Sequence, residues 1–136
     1  MPKNRGNLPR RTSETIAKVP DVVDYNNETP KFCLRHLQPG FDVQGLSQAK
    51  RAAFAVALQK RATMTWQQIV FGDRLGLGTE KLPKGAIKPT VPIAFQDREY
   101  FLALRYEGKL PMVGARVKDV LHILWVEPEF GHLYNH

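Results

Sequence analysis

The chain has 136 residues, a hydrophobic fraction of 43%, a charged fraction of 24% and a net charge of +7, the profile of one domain able to bury its own core. Its single cysteine, Cys33, excludes an internal disulfide and a cysteine zinc cluster, and makes a reduced, cytoplasmic setting the expectation. No segment approaches the roughly eighteen apolar residues of a membrane span, and Lys3, Arg5, Arg10 and Arg11 have no apolar stretch behind them that would read as a secretory signal.

Residues 1–30 are rich in Pro, Asn, Lys and Arg and lack periodicity, so a flexible basic arm is expected there, with Val19-Pro20-Asp21-Val22-Val23 able to pack on the body. Residues 31–136 read as one α+β domain. The first strand spans Lys31 to Leu37 and ends at the Pro39-Gly40 turn. Ser47 is a suitable N-cap for a helix over Gln48 to Arg61, where Phe54, Ala57, Leu58 and Arg61 recur at helical spacing. Thr65 caps a second helix from Trp66 to about Phe71, closed by Gly72. Residues 72–92 form an irregular basic stretch carrying Arg74, Lys81, Lys84 and Lys88. Its Gly76-Leu77-Gly78 lacks the ending of a phosphate loop.

From Pro92 onward the pattern is strand: Ile93–Phe95, Tyr100–Tyr106, Met112–Val117 and Val120–Val126, with Leu133-Tyr134 as a short returning edge. Glu107-Gly108-Lys109 and Lys118-Asp119 are the turns. Val120–Val126 is apolar on both faces except at His122, so it should be an interior strand. The expected architecture is two helices packed on a small antiparallel sheet, in the order strand, helix, helix, strands. One sheet face, or a cleft at its edge, is left open to a partner.

The charge excess lies in the body. Residues 1–30 hold five Lys/Arg and four Asp/Glu, whereas residues 31–136 hold fifteen and nine. A basic folded domain suits a polyanionic or acidic partner. Lys50, Arg51, Lys60 and Arg61 on the first helix, with Lys84 in the loop, are the candidate nucleic-acid contacts. A plain solvated face is the competing reading. His132, Tyr134 and His136 are spaced by two and would project one way from an extended strand. Cleavage of RNA needs a base for the 2′-hydroxyl, cations for the phosphate and an acid for the 5′-oxygen. The candidates for those roles are Arg105, Arg116, His132 and Tyr134, with Lys118, His122 and Glu127 in support. No cofactor is called for. A metal set drawn from His122, His132, His136 and Glu127 or Glu129 has no recognised ligand spacing behind it.

The element order, the small basic body and the C-terminal Arg, His and Tyr resemble the RelE/ParE/YoeB toxin superfamily over residues 31–136. That resemblance implies a metal-independent endoribonuclease acting on messenger RNA at the ribosome and held in check by an acidic antitoxin. The ParE branch implies gyrase inhibition instead. The arm at 1–30 and the loop at 72–92 depart from those compact toxins. The ending Ile123-Leu124-Trp125-Val126-Glu127-Pro128, then His132-Leu133-Tyr134, is also similar to short bacterial and phage proteins that close on an aromatic strand, an acidic-Pro step and His-x-Tyr. The alternative function is a non-catalytic basic module of phage or mobile-element origin that grips nucleic acid or a host protein.

Overall fold

The computed structural model describes residues 24–71 and 79–136. Five strands, β1 (Lys31–Cys33), β2 (Glu80–Pro83), β3 (Tyr100–Glu107), β4 (Leu110–Val117) and β5 (Val120–Val126), form one sheet in the order β1-β5-β4-β3-β2. Two helices, α1 (Gln48–Ala62) and α2 (Trp66–Phe71), lie against it. The fold is α+β with the expected strand, helix, helix, strands order. The expected antiparallel sheet is mixed, because β1 runs parallel to β5 while every other pairing is antiparallel.

Local chemistry accounts for the helices. Ser47 Oγ accepts from the Lys50 amide at 3.2 Å, and no Gly or Pro interrupts the following fifteen residues. Thr65 and Gln68 form a reciprocal cap: the Thr65 amide donates to Gln68 Oε1 at 2.9 Å and the Gln68 amide donates to Thr65 Oγ1 at 3.2 Å. Phe54 and Ala57 of α1 and Trp66 and Ile69 of α2 meet Leu102, Leu104, Tyr106, Met112, Leu121, Ile123 and Val126 of the sheet in one core.

The other sheet face, for which an open surface or a cleft at its edge was expected, is covered. Phe101, Ala103, Val113, Ala115, Leu124 and Trp125 are buried there under Ile87, Val91 and Phe95 of the irregular stretch and Leu133 and Tyr134 of the C-terminal tail. The alternation of β3 and β4 puts apolar residues on both sides, and each side must be covered. The covering segments are not strands. Ile93–Phe95 is a 3-10 turn, and Leu133-Tyr134 belongs to a curled tail that meets the loop through the Lys88 amide donating to Leu133 O at 2.8 Å. β1 stops at Cys33 rather than Leu37. The chain returns to β5 further on, with the Gln38 amide on Leu124 O and the Val126 amide on Phe41 O. β2 arises inside the stretch expected to be irregular.

A β-bulge shapes β5. Val113 pairs with Trp125 and Gly114 with Ile123, which leaves Leu124 as the extra residue. Leu124 and Trp125 therefore both face the tail side, and Val126 faces the helices. Strict alternation over 120–126 would put Val126 on the face of His122 and Trp125 on the opposite one. Pro111, inside β4, sits across from a second irregularity at Arg105–Glu107, where its missing amide does least harm. Residues 24–30 are tied to the body, the Trp66 amide donating to Glu28 O at 2.9 Å. Residues 1–23, with Val19–Val23, and residues 72–78, with Arg74 and Gly76-Leu77-Gly78, lie outside the described residues.

Candidate functional site

β5 ends where Pro128 follows Glu127, and the tail then curls back over the sheet. Glu127 is fully buried. Its amide donates to Pro111 O at 3.0 Å and its carbonyl accepts from Tyr106 Oη at 2.7 Å, so its backbone is locked between β4 and β3. Its side-chain carboxyl holds the tail. Oε2 accepts from the Leu133 amide at 2.8 Å, and Oε1 meets His136 Nε2 at 2.5 Å. The His136 ring stacks on Tyr134 at 4.2 Å between centroids and meets the Phe130 ring in a T-shaped contact at 4.7 Å. Its side chain remains 25% exposed. In the neutral tautomer that carries its proton on Nε2, toward Glu127, Nδ1 holds the free lone pair.

Tyr134, a proposed catalytic residue, is 5% exposed, and its hydroxyl lies 3.4 Å from Glu80 Oε1. Burial first, then the nearby Glu80 and Glu127, push its phenol well above the usual tyrosine range. It is a packed support for His136 and a hydrogen-bond donor. Tyr106 is likewise pushed up to about 12, chiefly by burial. Arg105 is exposed on β3 and close enough to act on Tyr134 electrostatically. It also lines a groove of about 470 Å³ between α1 and β3, with Ala52, Val56, Lys60 and Tyr106. His132 is exposed on the same tail, where its Nε2 lies 3.5 Å from Glu129 Oε2.

Arg116 is not part of this group. Arg105 pairs with Pro111 at one end of β4, and Arg116 lies five residues along that strand, roughly 17 Å away at the rise of a β-strand. There its guanidinium lies 4.3 Å over the Trp66 ring, and its Nε donates to Lys118 O at 2.8 Å. Lys118 occupies the β4–β5 turn with φ of 59°. At the same end Lys31 Nζ meets Asp119 Oδ2 at 2.8 Å, which lowers the Asp119 carboxyl below its usual range. Thus Arg105, Tyr134 and Glu127 gather at one end of the sheet, while Arg116 and Lys118 lie at the other.

The helix cations also divide. Arg61 belongs to the buried stripe of α1, 3% exposed, with Nη1 donating to Ala57 O. It is not on the outer face expected of it, because it follows Phe54 and Ala57 at core spacing. Arg51 caps the turn before α1 through the Val43 and Gln44 carbonyls. Lys50 Nζ reaches Pro128 O at 2.6 Å, and Lys84 Nζ reaches Gln96 O at 2.5 Å. Lys60 remains exposed on the groove rim.

His122 faces the tail side of the sheet near its β1 edge, where its ring lies 5.7 Å from Phe95 and 5.9 Å from His36. Burial first, then His36 and Arg98, hold its pKa below the ordinary 6.5. The unfolded chain therefore binds the proton more readily. The stability this contributes is present above 6.5 and is lost as pH falls through that value toward the lower folded pKa. Thermal melts of the wild type should show Tm falling between about pH 7.5 and about pH 5.5, and His122→Gln should flatten that slope. An unchanged slope in the variant would remove His122 as the cause.

Among the described residues no group of three or more His, Cys, Asp or Glu is placed to hold a metal ion, and no helix is long and apolar enough to cross a membrane. The metal set of His122, His132, His136 and Glu127 or Glu129 is thus not assembled. No family model, curated protein or solved structure matches the chain. His136 is the member of this group that sequence reasoning left out of its catalytic or binding set. The acidic-Pro step followed nine residues later by His136 was a visible pattern, but its meaning depends on how the tail curls.

Proposed function

We propose that this protein is a metal-independent endoribonuclease of toxin type, acting on messenger RNA from the end of the sheet that holds Glu127, His136, Tyr134 and Arg105. The observation that carries the reading is the buried Glu127 carboxyl gripping His136 at 2.5 Å while Tyr134 stacks beneath the ring. A buried carboxyl that orients an imidazole is the arrangement that makes histidine an effective acid–base group. His136 Nδ1 would take the 2′-hydroxyl proton as O2′ attacks phosphorus. The P–O5′ bond breaks to leave a 2′,3′-cyclic phosphate, and the exposed His132 returns a proton to the 5′-oxygen. Arg105 supplies positive charge for the phosphoryl oxygens. The step balances without a metal.

The α+β order of two helices and a mixed sheet is compatible with a RelE-like layout, which supports RNA or the ribosome as target and an acidic antitoxin as protein partner. His136→Ala is expected to lower cleavage of a single-stranded RNA by about a hundredfold or more, and to relieve the growth arrest that induced expression of the wild type causes. Intact RNA with the wild-type protein, or equal cleavage by the variant, would overturn the reading. A non-catalytic basic module is the second reading. It is favoured by the groove between α1 and β3, whose apolar floor is rimmed by Lys60 and Arg105.

A further inference from the structure

Phe130 stands out on the tail. It is apolar and 54% exposed, yet its ring packs T-shaped against His136, with ring planes at 81°. The turn that presents it is held from both sides by lysines. Lys50 Nζ donates to Pro128 O and Lys88 Nζ donates to Gly131 O, each at 2.6 Å. Each ammonium spends one of its three protons on a carbonyl and keeps two for another acceptor. The exposed ring is thus flanked, on the residues two before and one after it, by anchored positive charge. The one carboxylate on this turn's surface, Glu129, faces His132 at 3.5 Å.

We infer that Phe130, with Lys50 and Lys88, forms a subsite for one unpaired nucleotide of RNA: the base stacks on the Phe130 ring and an adjoining phosphate meets the lysine ammonium groups. This rests on the proposed ribonuclease reading and adds its substrate class, which is single-stranded RNA. A flat aromatic ring can meet a base face only where the base is not already stacked within a duplex. Because Phe130 touches His136, the captured nucleotide lies beside the imidazole, so the subsite also sets where along the strand the cut falls. Phe130 here is a binding residue. It takes no proton.

The test uses the full chain and a short single-stranded RNA carrying one 2-aminopurine, whose fluorescence is quenched by stacking. The wild type should quench it, and the same RNA in a duplex should not be quenched. Phe130→Ala should abolish the quench and weaken binding about tenfold, while Phe130→Trp should restore both. As the ring is exposed, melting curves of both variants should match the wild type, which separates loss of the subsite from loss of the fold. Lys88→Gln should reduce the salt dependence of binding by roughly one ion. A quench that persists in Phe130→Ala, or equal quenching of duplex and single strand, overturns the subsite even where His136→Ala destroys cleavage. Phe130-dependent quenching by a protein that leaves RNA intact upholds the subsite and overturns the ribonuclease reading instead.

Discussion

Gly114→Ala is expected to cost about 3 kcal/mol or more and to lower Tm by roughly 10 °C or more. A Cβ at this position would lie 2.2 Å from His122 O and 2.9 Å from both His122 C and Ile123 Cα. All three are backbone atoms of the neighbouring strand, so no side chain can swing aside. The β4–β5 ladder must open at the bulge where Leu124 is inserted, and Leu124 and Trp125, both buried, shift with it. Gly85→Ala is the control, because nothing lies within 4 Å of its Cβ position. If denaturant and thermal melts place Gly114→Ala within about 0.5 kcal/mol of the control, a range typical of neutral surface changes, the close approach at the bulge is not a constraint on this fold.

Glu127→Ala should have a comparable effect through polar chemistry. The substitution removes the acceptor of the Leu133 amide and the partner of His136 Nε2 in a fully buried place. Breaking such a buried, hydrogen-bonded contact costs about 3 kcal/mol, and the loss should fall on the tail first. Hydrogen exchange at the Leu133 amide should accelerate toward that of an unprotected group while the β4 amides stay slow. Activity toward RNA should fall as far as it does in His136→Ala, since the ring is no longer held. Glu127→Gln keeps an oxygen for the Leu133 amide and should retain most of the stability while losing the orientation of His136. A tail that stays protected in Glu127→Ala would mean that Leu133 and Tyr134 hold it by apolar packing alone.

These two positions differ in how far the sequence exposes them. Gly114 stands in an apolar run in which a glycine marks a close approach or a bulge, but only the register of β4 against β5 identifies the atoms it must avoid. Glu127 is visible as an acidic-Pro step, which reads as a structural turn or as a catalytic carboxyl. Its burial comes from contacts with Pro111, Tyr106 and Leu133, which are sixteen and twenty-one residues before it and six after it.

Short-range chemistry settled what the sequence by itself could determine: the α+β class, the two helices with Ser47 and Thr65 as their caps, the two tight strand turns and the inward stripe of Phe54 and Ala57. Those features depend on hydrogen bonds and periodicities spanning a few residues, and they are written in adjacent letters. Tertiary structure alone decided the parallel seat of β1 beside β5, the bulge at Leu124, the covering of the second sheet face, and the separation of Arg105 from Arg116. Each follows from which distant segment satisfies an apolar face or an unpaired backbone group. Several segments of this chain offer similar apolar residues, so the choice among them is made by the whole packed molecule.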